Sequence, residues 1–464
     1  MTAAVRPAPE EGTAPRPALL RSLGAMDGAL ITIGATVGSG IFLTTGDIAR
    51  RLPHAGLILL LWLLGGGYAL AGALTYSELG TMFPRAGGQY HFLTEAYGRL
   101  WGFLFGWTSF LVIMTCGLAA LGVGFGEYLG VFVPAFASDA QLISLAVGGI
   151  RWTMRGPQLA GALAIAGLTA VNLLGVREGA WVQNVVTVLK IAALAALVAI
   201  GLVLPAHTTP GWVAPLPAGG LAAGVGLGLV AVLWTYDGWY VLTFSAGEVR
   251  QPERNLPRGL VLGVVVVTLL YLVINWVYLR ALDPGALGRS PRVGEAAAEA
   301  LLGPGAARAV SAVIVVSMFG CLAANILCCA RIYQPMAEDG VFFRALARID
   351  PRHHTPSTSL LAQGALAVVL ALSGTYDQLY TMVVFAGVLF HAATGAAVFV
   401  LRQRRPDLPR PVRAWGYPWL TGVFVAGCLV LAFATLVQAP VQSLLGLALI
   451  VAGLPAYAWW SLSR

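Results

Sequence analysis

The chain has 464 residues, 58% of them apolar and only 10% charged, with a mean hydropathy of +0.80. A soluble domain carries about 25% charged residues, so the composition excludes an ordinary soluble enzyme and points to an all-α polytopic membrane protein. The net charge of +8 reads as membrane topology and gives no support to a nucleic-acid partner.

The first twenty residues contain Pro, Ala and Glu and lack the apolar stretch of a cleavable signal. Residues 1–23 are therefore expected to form a disordered tail. After it, twelve apolar segments long enough to cross a hydrocarbon core of about 30 Å are predicted: 24–48, 55–82, 100–134, 157–176, 180–204, 220–248, 259–281, 309–338, 358–374, 378–401, 416–437 and 440–461. They are called segments 1 to 12 below. An even number puts both termini on one side. Eighteen arginines fall on that side and eight on the other, so the positive-inside rule places both termini in the cytoplasm, in a multi-pass protein of the plasma membrane.

Segment 1 holds Gly38-Ser39-Gly40 near its centre. Each Gly costs a helix interior roughly 1 kcal/mol relative to Ala, and a break is expected there. A half-helix restarting near Gly40 would aim unpaired N–H groups at the midplane, suited to a carboxylate. The carbonyls ending the first half, near Thr36, would suit an ammonium group, and Ser39 adds a hydroxyl. Close helix packing through small residues is the competing explanation for the glycines.

Segment 2 carries Glu78 near its cytoplasmic end, read as an interface ion pair that helps close an inner gate. Segment 5 carries Lys190, the only lysine in the protein. Ten residues from the segment start is about 15 Å of helix, too deep to snorkel, and a cation at that depth costs at least ~2.5–3.5 kcal/mol. A functional cation and a structural ion pair are the two readings.

Segment 6 contains Trp234-Thr235-Tyr236-Asp237-Gly238-Trp239, with a turn-favouring Asp-Gly pair at its centre. Asp237 reads first as the cap of a restarting half-helix and second as a partner for a cationic substrate. Glu248, beside Arg250 and Arg254, reads as a gate ion pair like Glu78, and Arg331 near the end of segment 8 as a snorkelling arginine. The five cysteines all lie in apolar segments, and His54, His207, His353 and His354 lie in loops. No disulfide framework, metal cluster, catalytic triad or cofactor is called for, and no enzyme activity.

Segments 1 and 6 are five apart. Interrupted helices at corresponding places in two halves are the pattern of a transporter with an inverted repeat and a midplane site. The expected organisation is a first five-helix repeat at 24–204, a second, inverted one at 205–401, and the loop with segments 11 and 12 at 402–464.

These residues carry a resemblance. Gly38-Ser39-Gly40-Ile41-Phe42, Tyr76-Ser77-Glu78-Leu79-Gly80 and Pro84-Arg85-Ala86-Gly87-Gly88-Gln89-Tyr90 resemble the opening of transporters of the amino acid, polyamine and organocation superfamily. Trp234 to Trp239, Asn184 to Lys190, and Ala324-Asn325-Ile326-Leu327 with Ala330-Arg331-Ile332-Tyr333 are similar to its L-amino acid transporter branch. The resemblance implies alternating access for an L-amino acid, by exchange or with protons as the coupling ion; neutral substrates are favoured over cationic ones or polyamines because Asp237 reads first as a cap. It implies a substrate carboxylate on the backbone of Gly38, Ser39 and Gly40, an ammonium on carbonyls near Thr36 and at Trp234, Thr235 and Asp237, Trp234 as a lid that gates the site, and Lys190 reaching the break in segment 1. Tyr240 departs from the family's usual Asn after the second Trp. The loop after segment 3 lacks the cysteine that links animal relatives to a heavy chain, so no such partner is expected. A non-transporting sensor or a channel is the rival class.

Overall fold

A computed structural model of the chain describes residues 19–462 except 148–149, 206–207, 209–220, 291, 374–375 and 439. Residues 1–18 of the expected tail, and most of the loop after segment 5 with His207, lie outside the described residues. Residues 22–23 are not a free tail. The amides of Ser22 and Leu23 each donate to Glu248 O at 2.9 Å, and Arg250 N donates to Leu23 O at 2.8 Å.

With no water in a bilayer core, an apolar stretch satisfies its backbone by becoming helical, and the described residues follow that rule. Among the described residues, ten helices are long and apolar enough to cross a membrane, or eleven when the bent pair Ala25–Thr36 and Gly40–Arg51 counts as one span. Segment 9 is the shorter apolar helix Ser357–Ser373.

The all-α expectation needs one correction. Segment 3 ends at Leu129, before the expected 134, and the loop beyond it forms an antiparallel hairpin, Gln141–Val147 with Ile150–Arg155. The sequence there is short, rich in β-branched and aromatic residues, and punctuated by Gly148-Gly149, which favours a hairpin over a helix. Short helices also fill the connections at Gln89–Tyr97, Pro284–Arg289 and Val293–Leu302.

The first half of segment 1 packs against segments 5, 7 and 8, and its second half against the first half of segment 6. Segment 5 shows how residues sort across a helix. Its apolar window is only 22% buried, with Val185, Val188 and Leu189 exposed on the outside. Gln183, Thr187, Lys190 and Leu194, spaced along one helical face, are fully buried against the interior.

Both expected breaks are present. Segment 1 is interrupted at residues 37–39 and bends by 45°. Segment 6 runs as Leu221–Tyr236, turns through residues 237–240, and continues as a 3₁₀ helix, Val241–Glu248.

Candidate functional site

The two breaks touch each other. Gly238 has φ +107°, a backbone conformation that disfavours a side chain, and a Cβ built there would lie 2.6 Å from Ala35 O and 3.1 Å from Thr36 N. Gly40 likewise lies directly against the Thr235 side chain. From segment 7, the fully buried Tyr271 places its hydroxyl 3.1 Å from both Thr36 O and Thr235 O, clipping the end of one broken helix to the other. Thr44 and Thr235 hydroxyls meet at 2.9 Å one turn further on.

Between the breaks lies a cavity of about 70 Å³. Thr36, Gly38, Ser39, Gly40, Trp234, Thr235 and Asp237 all line it, so seven residues picked from two distant stretches converge on one space. Segment 3 supplies an apolar wall through Ile113, Met114 and Leu118, and segment 8 adds Cys321 and Asn325. The amides of Gly40 and Ile41 open this helix, while Phe42 N donates to Ser39 O and Gly38 N to Thr36 O, each at 3.0 Å, and the positive end of the helix dipole faces the cavity.

Three other called residues stand outside this space. Lys190 is fully buried behind the break in segment 1, and its Nζ donates to Val37 O at 2.6 Å and to Gly34 O at 3.1 Å. Glu78, 1% exposed, takes Arg402 in a two-pronged contact at 2.9 and 2.6 Å and also accepts from Ala414 N at 2.7 Å. Glu248 pairs with Arg331, Nη2 to Oε1 at 2.9 Å, with a second contact from Nε.

These placements correct the sequence reading at four points. Glu248 is not paired with Arg250 or Arg254. Arg331 does not snorkel; it is 1% exposed, because a carboxylate 83 positions earlier in the chain meets it inside the protein. Asp237 does not cap the restarting helix: Tyr240 occupies the cap position and no side chain bonds there. The carboxylate instead reaches into the cavity with 36% of its side chain exposed. Finally, the carbonyls at the break are not free. Besides the Lys190 and Tyr271 contacts, Ala35 O accepts from Cys321 Sγ at 3.0 Å and Val37 O from Ser317 Oγ at 3.1 Å. Thr36 O accepts from Gly38 N at 3.0 Å as well as from Tyr271, and Val37 O takes both Lys190 and Ser317, so both lone pairs of each are engaged and a ligand ammonium would have to displace a donor there.

Tyr271, Ser317 and Cys321 carry this arrangement and were not singled out in the sequence. A Tyr in an apolar segment has no signature until its partners are known. His391 was also missed; it borders a smaller cavity of about 30 Å³ that shares Ile113, Trp234, Asp237 and Val383 with the first.

The geometry agrees with what the chain resembles as a whole. A family model described as amino acid permease matches residues 23–457. The chain belongs to the amino acid permease family. Its relatives include the serine/threonine exchanger SteT of Bacillus subtilis (strain 168), 30% identical over 450 residues that cover 95% of this chain and 96% of the relative. The mouse (Mus musculus) b(0,+)-type amino acid transporter 1 is 30% identical over 439 residues, 92% of this chain and 83% of the relative. The human (Homo sapiens) large neutral amino acids transporter small subunit 2 is 30% identical over 446 residues, 95% of this chain and 80% of the relative.

Proposed function

We propose that this permease is an exchanger of small neutral L-amino acids that works by alternating access in the plasma membrane, with twelve spans, a five-plus-five inverted repeat and both termini in the cytoplasm. The observation that carries the reading is the cavity formed where the two broken helices meet. The substrate carboxylate takes the amides around Gly38, Ser39 and Gly40, its ammonium takes the carbonyls at Thr36, Trp234, Thr235 and Asp237, displacing a donor at Thr36, and Trp234 covers it. The cavity of about 70 Å³ is small, which favours a substrate with a short side chain. The serine/threonine exchanger among the relatives supports a small substrate, and the excess of arginines on one side supports the orientation.

Lys190 acts in this reading as a fixed cation. Bonded to two carbonyls of the unwound stretch, it holds the break in the shape that presents the amides of Gly38 to Gly40. Glu78 with Arg402, and Glu248 with Arg331, tie the cytoplasmic ends of segments 2 and 10 and of segments 6 and 8, and must separate or travel together when the inner gate opens. Counterflow of radiolabelled serine into proteoliposomes, with a panel of unlabelled amino acids inside, tests the proposal. Saturable exchange restricted to small neutral amino acids supports it. Linear flux would indicate a channel, binding without flux a sensor, and uptake that needs a proton gradient a symporter.

A further inference from the structure

We propose that an apolar furrow on the outer face of segment 7 holds an anionic phospholipid of the cytoplasmic leaflet, with its headgroup on Arg254 and Arg258. The site lies away from the substrate cavity and goes beyond the transport reading, of which it uses only the membrane orientation.

The furrow follows from residue spacing on one helix. In Pro252–Ala281, Arg254, Arg258, Val261, Val265 and Leu269 recur every three or four positions and so share one face. Two open cavities lie along that face. One, of about 540 Å³, is bordered by Arg258, Val261 and Leu262 and by Ala25 and Met26 at the start of segment 1. The other, of about 770 Å³, begins at Val265, which lines both, and continues past Leu269 between segments 2, 6 and 11. From Arg258 to Leu269 is about 16 Å of helix, the depth of one leaflet in a hydrocarbon core of about 30 Å. Polar substrates find no grip here. The hydroxyls on the walls are already bonded, Thr268 to Val264 O at 2.8 Å and Tyr68 with Cys428 Sγ at 3.0 Å.

The cytoplasmic mouth is different. Arg254 and Arg258 are exposed, and among the described residues neither side chain makes a hydrogen bond or an ion pair. The nearby acids are engaged or turned away. Glu248 is held by Arg331, and Asp27 accepts from Gly24 N at 2.8 Å and Asn184 Nδ2 at 2.7 Å. Glu253 is set about 100° around the helix from Arg254 and farther from Arg258. Two unpaired guanidiniums one turn apart, at the head of an apolar channel, fit a phosphodiester above acyl chains, since guanidinium binds phosphate through two parallel bonds. Anionic headgroups of the cytoplasmic leaflet are drawn to such arginines. A zwitterionic headgroup carries the same phosphate but cancels its charge, so the anionic lipid is preferred.

The seat of this lipid touches both broken helices. Met26 belongs to the first half of segment 1, and Leu229 and Leu233 of the first half of segment 6 line the larger cavity. On the reverse face of segment 7, Gly259 meets segment 1 backbone to backbone: a Cβ built on Gly259 would lie 3.0 Å from the carbonyl carbon of Gly28. A lipid filling the furrow braces the two half-helices whose ends shape the substrate cavity.

The test compares dioleoylphosphatidylglycerol with dioleoylphosphatidylcholine, on unfolding of the full chain in detergent and on serine counterflow in proteoliposomes. Phosphatidylglycerol is expected to raise the unfolding temperature by about 3 °C more than phosphatidylcholine at equal concentration, and to speed counterflow about threefold. Arg254→Gln with Arg258→Gln, both at exposed positions, should abolish the preference in both assays while keeping the wild-type unfolding temperature in phosphatidylcholine. Equal stabilisation by the two lipids, or a preference retained in the double variant, overturns the headgroup site. An equal shift with sn-glycerol 3-phosphate, which has no chains, overturns the furrow, and equal counterflow in both lipids overturns the bracing. Absence of counterflow in every lipid, with the lipid preference in unfolding intact, is a failure of the transport reading and supports this site.

Discussion

Gly238→Ala is the sharpest perturbation of the contact between the breaks. Two costs combine at this position. The backbone sits at φ +107°, where an L side chain is strained by about 1–2 kcal/mol. The new methyl would lie 2.6 Å from Ala35 O, against an ordinary C···O approach of about 3.3 Å. The neighbour is backbone, not a flexible side chain, so one broken helix must retreat by about 0.7 Å, and overpacking of this kind typically costs 1–3 kcal/mol. The sum is about 2–5 kcal/mol, paid mostly in the state where the breaks close on substrate. At 1.4 kcal/mol per tenfold, the half-saturation concentration for serine counterflow should rise at least tenfold. Gly226→Ala is the control: it lies in the helix Leu221–Tyr236 that leads into this turn, with nothing within 4 Å, and should leave transport unchanged while gaining up to about 1 kcal/mol of helix propensity. Wild-type half-saturation and unfolding temperature in Gly238→Ala would refute the reasoning.

Lys190→Ala removes the donor shared by Gly34 O and Val37 O, and is expected to cut exchange by more than tenfold at every pH while leaving the protein in the membrane; wild-type counterflow in this variant contradicts the fixed-cation role. Glu248→Gln strands the buried Arg331, and losing one partner of such a pair costs about 3–5 kcal/mol, visible as a lower unfolding temperature in detergent. Replacing both by Met should recover most of that stability but not gating, a contrast read from unfolding and counterflow together. His91, in the short helix between segments 2 and 3, has a pKa lowered to about 4, chiefly by burial, with Arg85 pushing the same way and Asp339 opposing. A base with a depressed folded-state pKa contributes stability that is present above its unfolded value of about 6.5 and lost as pH falls toward 4. At pH 5 the loss is on the order of 2 kcal/mol, and His91→Gln should remove that part of the acid sensitivity in thermal unfolding.

The breaks were legible because Gly-Ser-Gly and Asp-Gly are locally incompatible with a helix, and an incompatibility within a few residues needs no tertiary knowledge. Lys190 was legible for a similar reason: depth in an apolar segment follows from counting residues. Its attachment to the break was available only through the family resemblance. Arg331 and Glu248 were each visible as charges, but each was assigned to its nearest plausible environment, water or a sequence neighbour. The true partner lay in another helix, a fact that hydropathy does not carry. Asp237 was misread because the N-cap rule assumes an ordinary α-helix after the turn, whereas the chain resumes as a 3₁₀ helix four residues later. His391 gave no signal at all, since a lone histidine in an apolar run acquires meaning only from the cavity it borders with Trp234 and Asp237, both distant in sequence. The hairpin at 141–155 was overlooked although Gly148-Gly149 between β-rich runs marks it.

The central claim is that the two breaks grip the part common to all α-amino acids. A structure of the protein with bound L-serine, determined in lipid nanodiscs, tests it most directly. The account predicts the serine carboxylate within hydrogen-bond distance of the amides between Gly38 and Ile41, its ammonium at the carbonyls of Thr36 and Trp234 to Asp237, and its side chain directed past Asp237. Serine bound elsewhere, or bound here with its carboxylate turned away from Gly38-Ser39-Gly40, would contradict it.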